Sequence, residues 1–280
     1  MVMEHQPRLR VFAGPNGSGK SIMKQQVMRT VVGGRQVNLG VYVNADEIAA
    51  RLRKTRRLDL KDFKVVADRS SFRRFAVRSG LLSSRFPRHR MVSEHRFVNS
   101  EFRLIRTRHL EHFAQLLASF LCDRLLEQRI QFSFETVFSH ESKLAFMQRA
   151  RDAGFKVYLY FIATNSPEIN VDRVRIRVDA GGHNVPKDKI IERYGRSLRN
   201  LLPAIDLCYH AFVFDNSMAF EDDVSEPLLF AEMKRTSKGL HWAWDTRRMP
   251  DWFIREYLIA SGEAMYLDVA RKALMQRRSS

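Results

Sequence analysis

A glycine-rich loop near the amino terminus constrains the fold of this chain more than any other feature. An apolar run at 9–13 precedes the loop and a helix-forming run at 22–28 follows it, so the order is strand, loop and helix. The loop, called the phosphate loop below, reads Gly14-Pro15-Asn16-Gly17-Ser18-Gly19-Lys20-Ser21. This Gly-x4-Gly-Lys-Ser spacing is typical of loops whose backbone N–H groups bind phosphate oxygens at a helix N-terminus. The alternative is a glycine turn followed by a chance Lys-Ser pair.

The residues of the phosphate loop predict ATP and Mg2+ as ligands. Lys20 supplies a mobile cation for the β- and γ-phosphates, and Ser21 offers a hydroxyl to the Mg2+ ion that bridges the same phosphates. The contacts of the loop itself with the phosphates are expected from Gly14, Asn16, Gly17, Ser18 and Gly19. The question left for the rest of the chain is which group receives the phosphate.

Charge is the strongest compositional feature. The 280 residues include 48 basic and 31 acidic side chains, which gives a formal net charge of +17. Such a field attracts nucleotides, nucleic acid or an acidic protein partner, although solvated surface faces account for most of these charges, and nucleic acid is not the favoured ligand. The sequence contains no uninterrupted apolar run of about 18 residues and no signal-peptide pattern, so we expect a cytoplasmic protein without membrane contact.

Strand and helix patterns alternate along residues 1–225, which predicts one α/β domain. Runs rich in β-branched and aromatic residues predict five strands, at 9–13, 39–44, 131–135, 156–163 and 211–217. Helical spacing of apolar residues lies between them and is clearest at 109–129. A repeated strand and helix order predicts a parallel sheet with right-handed crossovers.

Acidic residues follow the second and third predicted strands. Asp46 comes just after the second strand, and Glu135 ends the third and is followed by Thr136. Ligands of parallel α/β sheets bind beyond the carboxyl ends of the strands, so Asp46 is a candidate for orienting an acceptor hydroxyl. Glu135 is a candidate for holding Mg2+ or contacting the acceptor. The alternatives are that Asn44 or Asp46 caps the next helix, and that Glu135 forms an ion pair or a cap.

Arginines cluster after the fourth predicted strand. Arg173 and Arg177 are four residues apart and would share one face of a helix, and a Gly-Gly pair after them offers a hinge. Arg193 and Arg196 would form a second wall of the same anion site. A mobile segment of this kind, over about 165–200, is typical of a lid that spreads positive charge over a transferring phosphoryl group. A solvated helix face is the alternative.

Three further stretches complete the chain. Asp215 and Asn216 end the fifth strand and are expected near the base of the nucleotide. The basic and aromatic stretch 50–110 is expected to form an insertion of short helices and loops, with phenylalanines in a satellite core or clamping a nucleotide or single strand. The tail 226–280 holds all three tryptophans and is expected to be helical and docked on the domain.

Taken together, these motifs resemble the zeta toxin family of P-loop kinases. The resemblance lies at 12–21, 42–48, 133–139, 173–186 and 214–217, and it spans roughly residues 8–220 in register. It implies a P-loop kinase fold with a parallel five-stranded core sheet flanked by helices. It also implies an ATP-dependent kinase. The best-known members phosphorylate the 3′-hydroxyl of the sugar in UDP-N-acetylglucosamine and are blocked by an antitoxin protein.

The resemblance also implies residue roles. By position, Lys20 and Ser21 would bind ATP and Mg2+, and Asp46 would take the proton from the acceptor hydroxyl. Glu135 and Thr136 would lie at the acceptor or the metal, and Arg173 and Arg177 would be the lid arginines.

The sequence departs from the family pattern at two places. His183 stands where the well-known toxins have a second lid arginine, so Arg193 or Arg196 would supply that charge. Ala118 and Ser119 fall where those toxins have an acidic residue that holds the sugar.

The favoured hypothesis is a Mg-ATP-dependent kinase that phosphorylates a hydroxyl of a small anionic acceptor, most simply a UDP-N-acetyl sugar, and acts as the toxin of a toxin-antitoxin pair. One alternative is a kinase of nucleic-acid ends or of another dinucleotide. An alternative from another class is a nucleotide-regulated module that binds nucleic acid or protein.

Overall fold

The computed structural model describes residues 6–182, 184–218 and 226–278. Within them lie twelve strands: β1 (Arg8–Ala13), β2 (Val31–Val32), β3 (Arg35–Gln36), β4 (Val41–Val43), β5 (Arg57–Asp59), β6 (His95–Val98), β7 (Glu101–Leu104), β8 (Phe132–Thr136), β9 (Lys156–Ala163), β10 (His210–Asp215), β11 (Leu228–Thr236) and β12 (Gly239–Trp244).

The same residues form eleven α-helices: α1 (Lys20–Arg29), α2 (Ala45–Thr55), α3 (Arg69–Arg78), α4 (Arg88–Ser93), α5 (Leu110–Glu127), α6 (Ser142–Asp152), α7 (Pro167–Asp179), α8 (Lys187–Arg199), α9 (Leu201–Ile205), α10 (Asp251–Phe253) and α11 (Ala264–Arg278). A 3-10 helix at Leu60–Phe63 and a π-helix at Ile254–Ile259 complete the set. None of the described helices combines the length and the hydropathy needed to cross a membrane.

The chain divides into two compact units. The first unit consists of Met1–Asn38 and Thr136–Ser280, and the second of Leu39–Glu135. The phosphate loop, the predicted lid and the tail belong to the first unit, whereas the basic stretch and the candidate carboxylates Asp46 and Glu135 belong to the second.

The first unit is built on a sheet in which β1, β9 and β10 run parallel. Ala13 at the end of β1 lies beside Phe161, and Asp215 at the end of β10 lies beside Ala163. The phosphate loop and the residues after β10 therefore leave the sheet at the same edge, which is where ligands of parallel sheets bind. Apart from the buried Arg10 of β1, the interiors of β1 and β9 are mostly buried and apolar, as is typical of a sheet covered on both faces.

The beginning of the tail is a β-hairpin, which corrects the prediction of a helical tail. β11 pairs antiparallel with β10, and β12 pairs antiparallel with β11. In β12, half-buried residues alternate with exposed ones, the period of a strand with one covered face. The predicted helix near the carboxyl end is confirmed as α11. The α/β fold with a mostly parallel sheet is confirmed, but the sheet has seven strands rather than the predicted five.

The second unit combines a parallel strand pair with a small antiparallel sheet. β4 and β8 are parallel, and the long helix α5 packs against α2 through an almost continuous set of buried apolar residues. The strands β5, β7 and β6 form a separate three-stranded sheet in that order.

This three-stranded sheet corrects the prediction of only short helices and loops at 50–110. Asn99 and Ser100 join β6 to β7 with positive φ angles of 50° and 69°, the conformation of a two-residue type I′ hairpin turn. Phe97 and Phe102 pair across the two strands and pack on Phe72. The expectation that these phenylalanines form a satellite core is confirmed.

Candidate functional site

The phosphate loop can be formed only with glycine at its two ends. Gly14 has a φ of 149°, and a Cβ atom there would lie 2.0 Å from the carbonyl oxygen of Ile162. Gly19 has a φ of 98°, and a Cβ atom there would lie 2.4 Å from Nδ2 of Asn216. The loop is therefore closely packed against the ends of the neighbouring strands, and its backbone turns without room for side chains.

Lys20 is the first residue of α1 and is buried, with 8% of its surface exposed. Its Nζ donates to the carbonyl oxygens of Gly14 at 2.9 Å and Pro15 at 2.8 Å. Ser18 Oγ and Asn16 Oδ1 are also buried and find no hydrogen-bond partner among the described residues. Buried polar atoms are otherwise almost always paired, so this loop has hydrogen-bonding capacity for a ligand.

Two asparagines from distant parts of the chain support the loop. Asn216 is 3% exposed, and its Nδ2 donates to the carbonyl oxygen of Ser18 at 2.9 Å. Asn170 in α7 is fully buried, and its Nδ2 donates to the carbonyl oxygen of Asn16. The hydroxyl of Thr164 donates to Oδ1 of Asn170. The sequence analysis missed Asn170. Its only sequence signal is a polar residue on the otherwise apolar face of the helix.

Asp215 is bound by the tail as well as by its own turn. The indole Nε1 of Trp252, a fully buried side chain, donates to Asp215 Oδ1 at 2.9 Å. The hydroxyl of Ser217 donates to the same oxygen at 2.7 Å, and the Ser217 backbone N–H donates to Oδ2 at 3.1 Å. The contact of Asp215 with a nucleotide base remains a prediction.

Arg173 of the predicted lid is held against the end of β10. Its guanidinium donates to the carbonyl oxygens of Asn216 at 2.6 Å and Met218 at 3.0 Å. Burial lowers the pKa of Arg173 from its ordinary value, but an arginine remains charged at any physiological pH. Arg177, one turn later, is exposed. The helix α7 packs on α8 through a small cluster around Val174.

The other lid residues lie on α8 or follow α7. Gly181, with a φ of 85°, ends α7 in a left-handed cap, and His183 lies outside the described residues. Arg193 is half-buried on α8, and Arg196 pairs with Glu192 of its own helix at 3.3 Å.

The loop after β8 is held by α8. The Ser197 hydroxyl donates to the carbonyl oxygen of Val137 at 2.6 Å, and Asn200 Nδ2 donates to that of Phe138 at 2.8 Å. The hydroxyl of Thr136 accepts from the backbone N–H of Phe138 at 3.0 Å. Thr136 is therefore fixed in its own turn.

Glu135 of the second unit lies in a hydrogen-bonded cluster with Tyr42 of β4 and with Asn44, the residue that follows β4. Its Oε2 accepts from the Tyr42 hydroxyl at 2.9 Å and from Asn44 Nδ2 at 3.1 Å. Asn44 Nδ2 also lies 3.0 Å from the Tyr42 hydroxyl oxygen. Burial, and then the charge of Glu135, raise the pKa of Tyr42 far above its usual range, so the phenol stays protonated and donates.

Asp46 is exposed in the first turn of α2 and is joined to this cluster through Asn44. The Oδ1 atom of Asn44 accepts from the backbone N–H of Asp46 at 2.8 Å and from that of Glu47 at 3.4 Å. Asn44 therefore caps α2, which was one of the two alternatives for Asn44 and Asp46. Asp46 takes part in the cap only through its backbone N–H. Tyr42 is a second residue that the sequence analysis missed. Tyr42 is half-buried between the buried Val41 and Val43, and nothing in the local sequence indicates that its hydroxyl faces Glu135.

Comparison with known proteins adds a family match. The family model described as Zeta toxin matches residues 87–226, which is half of the chain. That span includes Glu135 and the helices α7 and α8, but neither the phosphate loop nor Asp46.

One curated relative and two solved structures are also similar to parts of the chain. An uncharacterized protein of Haemophilus influenzae is 38% identical over 69 residues, which cover 25% of this chain and 49% of the relative. The match thus spans about half the length of that relative.

A chain in the structure of the PezAT chromosomal toxin-antitoxin system of Streptococcus pneumoniae is 14% identical to this chain, with a TM-score of 0.42. The match covers 79% of this chain and 75% of the PezAT chain. A chain of the native AvrRxo1-ORF1:-ORF2 complex is 15% identical to this chain, with a TM-score of 0.48. The match covers 97% of this chain and 76% of the chain in that complex.

Proposed function

Because the chain belongs to the zeta toxin family of kinases, we propose that it uses Mg2+ and ATP to phosphorylate a hydroxyl group of a small anionic acceptor. A UDP-N-acetyl sugar is the first acceptor to test, since the resemblance of the motifs to the family points to it. On the same ground we propose that the protein is the toxin of a toxin-antitoxin pair.

The observation that carries the proposal is the phosphate loop with the buried hydroxyl of Ser18, which finds no hydrogen-bond partner among the described residues. This hydroxyl can donate to a phosphate oxygen, and Lys20 is folded onto the carbonyl oxygens of the same loop. A triphosphate supplies oxygens that Ser18 and Lys20 can both bind, in exchange for contacts internal to the loop. This arrangement favours nucleotide binding over a purely structural turn.

Each predicted residue has a chemical task in the proposed reaction. Lys20 would hold the β- and γ-phosphates, and Ser21 would offer its hydroxyl oxygen, a type of ligand that Mg2+ prefers. The carboxylate of Glu135 remains a predicted ligand of Mg2+ or contact of the acceptor. The metal would neutralise negative charge that builds up on the phosphates. Arg173, Arg177 and Arg193 would add positive charge around the transferring group.

Asp46 is proposed to orient the acceptor. The acceptor oxygen forms a bond to the γ-phosphorus while the bond from that phosphorus to the bridging oxygen of ADP breaks. The acceptor hydroxyl loses its proton to the carboxylate of Asp46, which passes it to water. An exposed carboxylate in the first turn of a helix suits this task, because it is accessible to an acceptor.

Nucleotide binding is tested by replacing Lys20 and measuring thermal stability with and without Mg-ATP. At an ATP concentration of about 100 Kd, binding stabilises the folded protein by about 2.7 kcal/mol, which raises the Tm by roughly 5 °C or more. Lys20→Ala is expected to lose this rise. Arg29→Ala, which removes a charge at the other end of α1, is expected to keep it. A full rise in Lys20→Ala would refute the role of the loop.

Phosphoryl transfer is tested separately with labelled ATP and a panel of acceptors. The panel contains UDP-N-acetyl sugars, NAD, and oligonucleotides with free 5′- or 3′-hydroxyl groups, so that it separates the proposed acceptor from a nucleic-acid end or a dinucleotide. Asp46→Asn is expected to keep the ATP-induced rise in Tm and to lower transfer by about 100-fold or more. Glu47→Gln, an exposed neighbour in the same turn, is the matched control. Unchanged transfer in Asp46→Asn would exclude it as the base.

A further inference from the structure

Most of the net charge of the protein is concentrated in one part of the second unit. Residues 51–108, called the basic segment below, contain 18 lysines and arginines and only five acidic residues. This excess of 13 positive charges accounts for most of the net charge of +17 of the whole chain. A kinase that neutralises one triphosphate needs only a few cations, so its proposed function does not account for the basic segment.

Two clefts open on the basic segment. The first, of about 580 Å3, lies between the start of α3 and the turn that joins β6 to β7, and Arg74, Arg124 and Ser100 are among its lining residues. The second, of about 400 Å3, lies against β6 and the end of α4. Arg69 and Phe97 line both clefts. Each volume is within the range of pockets that take a small ligand, about 300–1,000 Å3.

Cations dominate both clefts. Arg69 is held in place by a hydrogen bond from its Nη2 to the carbonyl oxygen of Val92 at 3.1 Å, and Arg96 lines the second cleft. Asp68 is the only carboxylate among the described residues that line the two clefts, and it caps α3 through a 2.7 Å hydrogen bond from the Ser71 backbone N–H. The walls are therefore positive.

This positive charge does not depend on pH in the physiological range. His95 lines the second cleft and is almost fully buried, and burial lowers its pKa to about 4, with Arg69 and Arg73 acting in the same direction. The imidazole is thus neutral at pH 7, and the cations of the clefts are arginines, which do not lose their protons.

An aromatic ring lies between the two clefts. Phe97 is half-buried on β6 and packs against Phe72 and Phe102 at ring distances of 5.2 and 5.6 Å. Exposed Val66 and Val98 add apolar surface in the first and second cleft. Arginines beside an aromatic ring and apolar walls are the combination that binds phosphates and stacks bases in proteins that hold single strands.

We propose that the basic segment binds single-stranded nucleic acid, with Arg69, Arg74 and Arg96 contacting phosphates and Phe97 offering its ring to a base. A ligand that fills two neighbouring clefts of nucleotide size needs repeated phosphates and bases. A single small anion would occupy one cleft only. An acidic peptide matches the charge, but its carboxylate side chains would leave the ring of Phe97 and the apolar walls without a stacking partner.

The test uses the full chain and fluorescein-labelled 12-mers of oligo-dT and oligo-U, with binding followed by fluorescence anisotropy from 50 to 300 mM salt. The two oligonucleotides distinguish DNA from RNA. For single strands the slope of log K against log salt is about −0.7 for each phosphate contact, so we expect a slope of roughly −2. The double variant Arg69→Gln/Arg74→Gln is expected to reduce the slope by about 1.4.

The matched control removes two charges elsewhere. Arg271→Gln/Lys272→Gln, both exposed on α11 of the first unit, is expected to leave the slope unchanged. Phe97→Leu keeps an apolar side chain against Phe72 and removes the stacking ring, and it is expected to weaken binding by roughly 5- to 150-fold at constant slope. The ATP-induced rise in Tm reports that each variant is folded.

Three results would overturn the proposal. The first is an absence of binding at 50 mM salt. The second is an equal loss in the α11 control, which would mean that only the net charge of the protein attracts the oligonucleotide. The third is displacement of the oligonucleotide by polyglutamate at an equal charge concentration, which would favour an acidic protein partner. Binding with the expected slope and variant order supports the proposal, whether or not any kinase activity is found.

Discussion

Replacing Asn44 separates the two tasks of its side chain, because each replacement removes a different set of hydrogen bonds. The Oδ1 atom caps α2 by accepting from the backbone N–H of Asp46 at 2.8 Å, and Nδ2 donates to Glu135 Oε2 at 3.1 Å. Asn44→Ser keeps a capping oxygen and removes the amide donor. Asn44→Ala removes both, and Asn44→Asp keeps the cap but places a second carboxylate beside Glu135.

The first two variants measure the donor and the cap. Hydrogen bonds to a charged acceptor contribute about 1.5–3 kcal/mol, and the lower end applies because Asn44 and Glu135 are half-buried and water can replace the donor. Asn44→Ser is therefore expected to lower the free energy of unfolding by about 1.5 kcal/mol. Asn44→Ala is expected to lower it by about 1 kcal/mol more, since it also loses the N-cap.

The third variant adds a dependence on pH. Two carboxylates as far apart as Asn44 Nδ2 and Glu135 Oε2, 3.1 Å, repel each other by about 5 kcal/mol at an effective dielectric constant of 20. Protonating one ordinary carboxylate at pH 7 costs about 4 kcal/mol and at pH 5 about 1 kcal/mol, so the pair takes up a proton instead. The folded variant then binds one proton more than its unfolded state, and its stability falls as the pH rises above the unfolded carboxyl pKa of about 4.

Urea unfolding at pH 5 and pH 7 measures all three variants against the wild-type protein, with the midpoint compared at constant m. Relative to wild type, Asn44→Asp is expected to gain about 2.7 kcal/mol between pH 7 and pH 5, whereas Asn44→Ser is expected to change by less than about 0.5 kcal/mol. An equal loss for Asn44→Asp at both pH values would refute the contact with Glu135. Equal stabilities of Asn44→Ser and Asn44→Ala would refute the cap.

Three other substitutions test the first unit. Gly19→Ala is expected to abolish the ATP-induced rise in Tm and to cost about 2 kcal/mol, because the new methyl group meets Asn216 Nδ2 at 2.4 Å in a left-handed backbone; a normal rise would contradict this. Arg173→Lys is expected to lower the urea midpoint by the equivalent of about 1 kcal/mol, since one amine replaces two guanidinium donors, and an unchanged midpoint would refute that. Trp252→Phe leaves Asp215 without its indole donor and is expected to cost about 1.5–3 kcal/mol in urea, whereas a loss below about 0.5 kcal/mol would mean that Ser217 alone suffices.

The strands that carry the phosphate loop could be predicted from the sequence, because each is a short apolar run bounded by turn residues. All five predicted strands are present, and the helix predicted at 109–129 is α5. In such elements the local pattern and the burial in the fold agree, so the pattern alone suffices.

The two hairpins could not be predicted, because their strands pair weakly patterned residues. In β6 and β7, Phe97 stands between Arg96 and Val98 and Phe102 between Glu101 and Arg103, so the alternation is weak. The Asn99-Ser100 turn is a less common form of the type I′ turn than one with glycine. In the tail, β12 has half-buried residues on one face only, and its place is fixed by pairing with β11. Tertiary pairing rather than local propensity decides these segments.

In the candidate site too, some residues can be predicted from the local sequence and others are brought together only by the tertiary fold. The glycines, Lys20 and Ser21 belong to one motif, so their positions follow from spacing. The residues that hold the loop do not: Asn170 and Asn216 donate to carbonyl oxygens 154 and 198 residues away in the chain. Asn216 directly follows β10, and Asn170 lies in the first turn of α7, the helix that follows β9; only the pairing of those strands with β1 and with each other brings the two side chains to the loop. A polar amide just after a parallel strand can therefore support the loop as well as contact a nucleotide. The hydrogen bond from Asn216 Nδ2 to the carbonyl oxygen of Ser18 is an example of the supporting role.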